Sequence, residues 1–233
     1  GELMPSHEEL WYAAKSTRIV YMPPKLLETF GETSVNYLVL SEDMDFPDKI
    51  RLRRGLVSAA RPRIITPQYF LKQAVSNFGE DAKKYFSEVL NAKDTARFME
   101  YGLVFQKQEY SEEVVGGQLH EIADQAARDA QDNLSELRGV IIAVDDTWEV
   151  SLLHFITQLV KRSVPHNARE MAGRGLLELG GGVPVGLRNE LDEDFKACDT
   201  LGKAHNLAAK MRDYGVFEEF EDRFYELYKR LKS

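Results

Sequence analysis

The chain has little cysteine and no long hydrophobic run, and both shortages limit what kind of protein it is. Cys198 is the one cysteine among 233 residues, so neither an internal disulfide nor a zinc site made of cysteines alone can form. The apolar stretches at 139–144 and 150–156 are far shorter than the roughly 20 residues that cross a membrane. We therefore expect a soluble protein that is located in the cytoplasm and has no membrane partner.

Motifs that carry catalytic chemistry are also missing. The sequence contains no HExxH or CxxC pair, and none of its 5 histidines has metal-ligand spacing to another. A GxSxG nucleophile motif is absent as well. We expect no bound metal and no cofactor, and the sequence does not identify a catalytic residue. The sequence favours a protein without enzymatic activity, although sites assembled from distant residues leave no local motif.

What is present is an ordinary globular composition with an acidic balance. Hydrophobic residues make up 43% of the chain and charged residues 29%, which is typical of a folded domain. The 30 Lys and Arg residues are outnumbered by 38 Asp and Glu residues, giving a net charge of -8. A site for a negatively charged partner would therefore have to be a local basic surface.

Two kinds of hydrophobic periodicity divide the chain. Alternating apolar residues predict strands near 17–22, 34–41, 49–54 and 99–105, with helices at 67–78 and 81–90. After Gly117 the strong patterns have helical spacing, and residues 114–117, with paired glycines at 116 and 117, suggest a linker. We predict an α+β protein with an N-terminal antiparallel sheet of about four to six strands and its helices over residues 1–113. An all-helical region over 118–233 packs against it, as a second region or as part of one continuous domain.

The first candidate site is a basic segment. Positions 49–63 hold no acidic residue and six basic ones, namely Lys49, Arg51, Arg53, Arg54, Arg61 and Arg63. Basic residues that alternate along a strand repeat about every 6 to 7 Å, close to the spacing of phosphates along a nucleic-acid strand. The segment predicts a surface that binds an anionic partner, either a nucleic acid or an acidic protein. The alternative is a solvated sheet face whose arginines pair with acidic helices.

The second candidate is a basic stretch that leads into a glycine-rich loop. Arg162, Arg169 and Arg174 precede the loop at Gly180–Gly186, after a helix that we expect to end near Arg162. Glycines allow a backbone to approach an anion closely, so the stretch predicts a second anion-binding patch. An enzyme acting on a phosphorylated or carboxylated small molecule is the alternative, with His166 or Asp145 moving protons. A flexible connection is the simplest interpretation of the loop.

Two further segments have a structural and a functional interpretation. Asp145 and Asp146 are adjacent carboxylates suited to acid/base or metal chemistry, but Asp146 with Glu149 three residues later matches a helix capping box. The helix at 217–231 is rich in aromatic residues, which would make it the interface of a homo-oligomer or of a structural subunit. The alternative is that this helix packs inside its own chain.

Overall fold

The computed structural model describes residues 6–46, 48–59, 75–90, 105–173, 179–180 and 183–233. They form the α+β fold that the sequence predicts, with a helical C-terminal half from residue 185 onward. The strands are β1 (Arg18–Tyr21), β2 (Thr33–Glu42), β3 (Lys49–Ala59), β4 (Val75–Ser76), β5 (Phe105–Gly116), β6 (Leu137–Ile142), β7 (Leu179–Gly180) and β8 (Val183–Pro184). The helices are α1 (His7–Ser16), α2 (Glu80–Leu90), α3 (Leu119–Gln131), α4 (Trp148–Gly173), α5 (Val185–Ala197), α6 (Leu201–Asp213) and α7 (Phe217–Lys232).

The main sheet has six strands in the order β1, β6, β2, β3, β5, β4. Strands β2 and β3 form a long antiparallel hairpin, and β5 continues the antiparallel pairing beyond β3. Strand β6 lies parallel to β2, and β4 lies parallel to β5, so the sheet is mixed where the sequence predicted an antiparallel one. Strand β6 also falls in the part of the chain where the periodicity indicated helices.

The inner face of the sheet, which is the face that α4 covers, carries the larger hydrophobic core. This core joins both predicted regions of the chain, since it extends from Leu10 in α1 to Leu227 in α7. Gly139 in β6 lies directly under the ring of Phe155, which is 0% exposed. A Cβ atom at position 139 would overlap that ring, so the glycine sets how closely α4 approaches the sheet.

The outer face, which is the face that α3 covers, carries a smaller core. Leu40, Leu52 and Val140 of the sheet pack there against Ala123 and Ala130 of α3. Helix α3 packs mainly on β1, β6 and β2 and reaches Leu52 of β3, but it leaves Arg54 and Leu56 farther along β3 only partly covered. This uneven cover leaves a groove next to the helix.

Strand β5 lies near the edge of the sheet. Strand β4 pairs with Phe105 and Gln106, so among the described strands the rest of β5 is bordered on one side, by β3. Residues 114–116, which the sequence analysis placed in a linker, continue this strand opposite β3. Gly117 then has a φ of 142°, which favours glycine, and begins the connection to α3.

Three other segments differ from their predictions. Strand β3 continues through Gly55 as one strand, and α4 continues past Pro165 to Gly173 where the sequence predicted an end near Arg162. The end of the predicted helix at 67–78 contains the short strand β4 instead of a helix. Residues 67–74 and most of the predicted strand at 99–105 lie outside the described residues. Within the described ranges, no helix has both the length and the hydrophobicity that a bilayer span requires.

Candidate functional site

The arginines of β3 lie on both faces of the sheet. Arg51 and Arg53 face the inner side, where both contact Asp145 in the turn before α4. Arg54 faces the outer side, because successive side chains of a strand point to opposite faces. The basic segment of the sequence is therefore divided between two surfaces with different surroundings.

Arg51 is held by three carboxylates. Its Nη2 donates to Asp43 Oδ2 at 2.8 Å and its Nη1 donates to Glu112 Oε1 at 2.9 Å. Its Nε lies 3.4 Å from Asp145 Oδ2. The hydrogen bond to Glu112 raises the pKa of Arg51, and the backbone N–H of Asp45, together with Arg51, lowers the pKa of Asp43. Arg51 and these three carboxylates therefore form ion pairs within the chain.

Arg53 is more deeply enclosed than Arg51. Its side chain is 8% exposed, with Nη1 at 2.8 Å from Asp145 Oδ1 and Nη2 at 3.2 Å from Glu112 Oε1. The Nη1 and Oδ1 atoms are close but are not aligned for a hydrogen bond. The guanidinium carbon also lies 5.0 Å from the centre of the Trp148 ring, within range of a cation–π interaction. A buried arginine needs such partners, because an unpaired buried charge is strongly destabilising.

Lys107 of β5 extends this inner network. Its Nζ is 3.0 Å from Glu149 Oε1 and 5.0 Å from the ring centres of both Tyr110 and Trp148. Glu149 Oε2 accepts a hydrogen bond of 2.7 Å from the backbone N–H of Gly79. The inner network therefore ties the start of α4 to β5 and to the segment before α2.

The capping box predicted for Asp146 and Glu149 is wrong. No side-chain hydrogen bond caps the 3-10 turn at Asp145–Thr147 that leads into α4. Glu149 contacts Gly79 and Lys107 instead, because both lie close to the first turn of the helix. Asp145 faces two guanidinium groups, which leaves it poorly placed for the proton transfer that the sequence analysis considered.

The predicted row of free basic side chains is wrong for Arg51 and Arg53. Both arginines pair with carboxylates of the same chain, and Arg53 is buried. Lys49, at the start of β3, is exposed and makes no ion pair within the described part of the chain. Arg61 and Arg63 lie outside the described residues. Binding of an anionic partner by this segment stays a prediction, and the geometry of Arg51 and Arg53 argues against it.

The second basic patch lies on α4. Arg162, His166 and Arg169 are spaced four and three residues apart and so share one face of the helix. Arg162 Nη1 donates to the carbonyl of Pro23 at 2.9 Å, and His166 Nε2 lies 3.1 Å from Glu170 Oε1.

Part of the predicted second patch cannot be placed. Arg174 and much of the glycine loop lie outside the described residues. No hydrogen bond or ion pair joins His166 to the described part of Gly180–Gly186. The enzyme alternative built on His166 and the loop stays a prediction.

The aromatic side chains of α7 are mostly used inside the chain. Phe220, Phe224 and Leu227 are at most 5% exposed and belong to the main core. Tyr225 is 45% exposed. A homo-oligomer formed through the helix at 217–231 stays a prediction, but its main argument is weakened, because this apolar face is covered by α5 and α6.

A groove of about 490 Å³ opens on the outer face, between α3 and β3. Arg54 of β3 and Arg138 of β6 lie on opposite sides of β2, where Arg54 is the register partner of Leu38 and Arg138 that of Asn36. The two arginines therefore flank one stretch of β2. The remaining walls are formed by α3 and by β5, with lining residues that include Leu56, Glu109, Ala126, Asp129 and Val140.

The groove arginines have weaker partners than the inner arginines. Arg54 Nη1 pairs with Glu113, and these side chains are 53% and 52% exposed. Arg138 Nη2 lies 2.9 Å from Glu136 Oε2, and these side chains are 36% and 49% exposed. Exposed pairs contribute little, on the order of 0 to 1 kcal/mol, so a ligand can replace them.

Sequence reasoning found one of these arginines and missed the other. Arg54 belongs to the basic segment, but Arg138 stands at the start of a short apolar run that was not recognised as β6. The signal that could have found it is the run of apolar, mostly β-branched residues at 140–142, which favours a strand buried on both faces.

No known protein family, curated protein or solved structure matches this chain.

Proposed function

We propose that the protein is a binding protein without enzymatic activity that takes a small anionic ligand in the outer-face groove. Arg54 and Arg138 would contact the acidic groups of the ligand. The sequence predicted an anionic partner too, but a nucleic acid or an acidic protein, and of the two groove arginines only Arg54 belongs to the basic segment. The observation that carries the proposal is the position of two exposed arginines on either side of β2 in one groove.

The chemistry of the two arginines suits carboxylate or phosphate groups. A guanidinium offers a planar fork of donors that matches either group with two hydrogen bonds. Glu113 and Glu136 already pair with Arg54 and Arg138 at the surface. A ligand that exchanges with these exposed glutamates gives up little existing stabilisation.

The size and lining of the groove favour a small organic molecule over a nucleic acid or an acidic protein. Its volume of about 490 Å³ lies inside the range of roughly 300–1,000 Å³ that is typical of small-molecule sites. Leu38, Leu56 and Ala126 supply apolar surface for the carbon skeleton of the ligand. The lining also contains the carboxylates of Glu109 and Asp129, so the acidic groups of a ligand would have to lie against Arg54 and Arg138. The single reduced cysteine, Cys198, is in keeping with a cytoplasmic location.

Ligand-dependent stabilisation tests the proposal. Succinate, citrate and adenosine monophosphate would each be added in a thermal-unfolding series, followed by calorimetric titration of any compound that raises the Tm. We expect at least one of these anions to raise the Tm, because a ligand at about 100 times its Kd stabilises the native state by roughly 2.7 kcal/mol. Arg54→Ser and Arg138→Ser should each lower the affinity at least tenfold.

Arg230→Ser is the matched control, since Arg230 is an exposed arginine on α7, outside the groove and outside both predicted basic patches. Its affinity for the same anion should equal that of the unmodified protein. The proposal is rejected if no anion raises the Tm, or if the double variant Arg54→Ser/Arg138→Ser binds as tightly as Arg230→Ser.

A further inference from the structure

The turn between β2 and β3 presents two large apolar side chains to solvent. Met44 is 67% exposed and Phe46 is 61% exposed. Isolated exposed apolar residues are common on proteins, but here two of them stand two positions apart on one short turn. They are separate from the groove and make no contribution to it.

The turn is fixed in place by Asp43, which is 8% exposed. Its Oδ1 accepts hydrogen bonds from the backbone N–H groups of Asp45 at 3.0 Å and Phe46 at 3.2 Å. The backbone N–H of Lys49 donates to the carbonyl of Phe46 at 2.8 Å, and that of Asp43 donates to the carbonyl of Lys49 at 2.9 Å. A turn held this way loses little conformational freedom when a partner binds, which favours recognition.

The Arg51 guanidinium connects this turn to the segment before α4. It contacts Asp43 Oδ2 at 2.8 Å and Asp145 Oδ2 at 3.4 Å. Asp146 and Val144, which flank Asp145, are therefore held at the same edge of the sheet. Val144 is 36% exposed and adds apolar surface to this edge.

Negative charge surrounds the apolar turn. Four exposed carboxylates at this edge make no ion pair with any described residue: Glu42, Asp45, Asp48 and Asp146. Lys49 is an exposed basic residue beside them. The edge therefore combines exposed apolar side chains with an excess of unpaired negative charge.

We propose that this acidic turn, defined as Met44 and Phe46 with the four carboxylates, is a docking surface for a segment of a partner protein in which basic residues flank apolar ones. Charge complementarity selects this occupant, because the carboxylates would attract lysines or arginines around an apolar contact. A nucleic acid or an anionic membrane would be repelled. A second copy of the chain, placed symmetrically, would bring the same four carboxylates together.

A fluorescent model peptide tests the surface directly. An 18-residue peptide of lysine and leucine with leucines on one helical face serves as the basic amphipathic probe, and its anisotropy is followed on titration with the full chain. A peptide with glutamate in place of lysine and a polylysine of equal charge are the comparison probes. We expect the basic amphipathic peptide to bind at least tenfold more tightly than either, with an affinity that falls as salt is raised.

The double variant Met44→Ser/Phe46→Ser should lose at least tenfold in affinity for the basic amphipathic peptide. Leu134→Ser is the matched control, because Leu134 is 60% exposed in the turn after α3 and lies outside the acidic turn. Both variants alter exposed side chains, so unchanged urea-unfolding curves would show that the fold is intact.

Three results would overturn the inference. The first is equal peptide affinity in Met44→Ser/Phe46→Ser and Leu134→Ser. The second is binding of polylysine as tight as that of the amphipathic peptide, which would leave no role for the apolar residues. The third is a dimer in light scattering that disappears in Met44→Ser/Phe46→Ser, which would assign the surface to a second copy. These outcomes do not depend on Arg54 or Arg138, so they are separate from the test of the groove.

Discussion

Strand β3 carries arginines on its two faces, and the faces use them in opposite ways. On the inner face Arg53 is 8% exposed and lies among two carboxylates and a tryptophan ring. On the outer face Arg54 is 53% exposed and has one exposed glutamate as its partner. Neighbouring positions of one sequence motif thus have different roles, so a run of basic residues is not by itself a single basic surface.

The difference follows from what covers each face. The turn before α4 brings Asp145 over the inner face, and β5 adds Glu112 beside it. Helix α3 packs mainly on β1, β6 and β2 and does not cover Arg54, which keeps contact with water. A charge in the covered position requires partners within the chain, whereas a charge in the open position remains available to a ligand.

The largest effect should come from removing a carboxylate of the inner network. Asp145→Asn leaves the buried Arg53 without its nearest countercharge, so we expect the free energy of unfolding to fall by about 3 kcal/mol. Urea denaturation measures this change. Asp146→Asn is the control, because Asp146 is exposed and makes no ion pair with a described residue. Equal stability of the two variants would contradict the structural role of the inner network.

An intermediate effect should appear in the pH dependence of stability. The pKa of Asp43 is lowered by the Asp45 backbone N–H and by Arg51, so the folded protein binds this proton more weakly than the unfolded chain does. The stabilisation is present above the ordinary aspartate value of about 4 and is lost as the pH falls toward the folded pKa.

Unfolding curves measured from pH 6 to pH 2 test the direction of this change in stability. Asp43→Asn should be less stable than the unmodified protein at pH 6 and should approach its stability at pH 2. Asp48→Asn, in the same turn, should follow the unmodified protein throughout. A constant difference between Asp43→Asn and the unmodified protein at every pH would show that Asp43 acts without titrating.

The smallest effect should come from the outer face. Glu113→Gln removes the partner of Arg54, and because both side chains are more than half exposed, the free energy of unfolding should change by less than about 1 kcal/mol. Urea denaturation beside Asp145→Asn gives a direct comparison of the two faces. A loss as large as that of Asp145→Asn would show that the outer arginine is structural too.

The fold was largely predictable because its elements have clear periods. Strands β2 and β3 alternate over long stretches, and α7 carries a regular apolar stripe. Strand β6 was missed because it is short and lies between β2 and β1, so both of its faces carry apolar residues and the alternation disappears. The continuation of α4 through Pro165 was missed because proline usually ends a helix.

The candidate site was less predictable because its contacts are long-range. The partners of Arg51 and Arg53 come from positions 43, 112 and 145, which no local pattern connects. The groove depends on the parallel pairing of β2 with β6, which places Arg138 beside the same strand as Arg54. Sequence periodicity indicates which residues share a strand face, but it does not show which helix covers that face.

Among the described strands, β5 has no neighbour on one side beyond Gln106, and this edge has a consequence for the behaviour of the protein at high concentration. Unpaired backbone groups at the border of a sheet can accept a strand from another molecule, and such addition can continue into fibres. In β5 this border carries Glu109, Glu112 and Glu113 within a few positions. Extending the sheet with a second β5 would bring like charges together, so the strand's own charges oppose polymerisation.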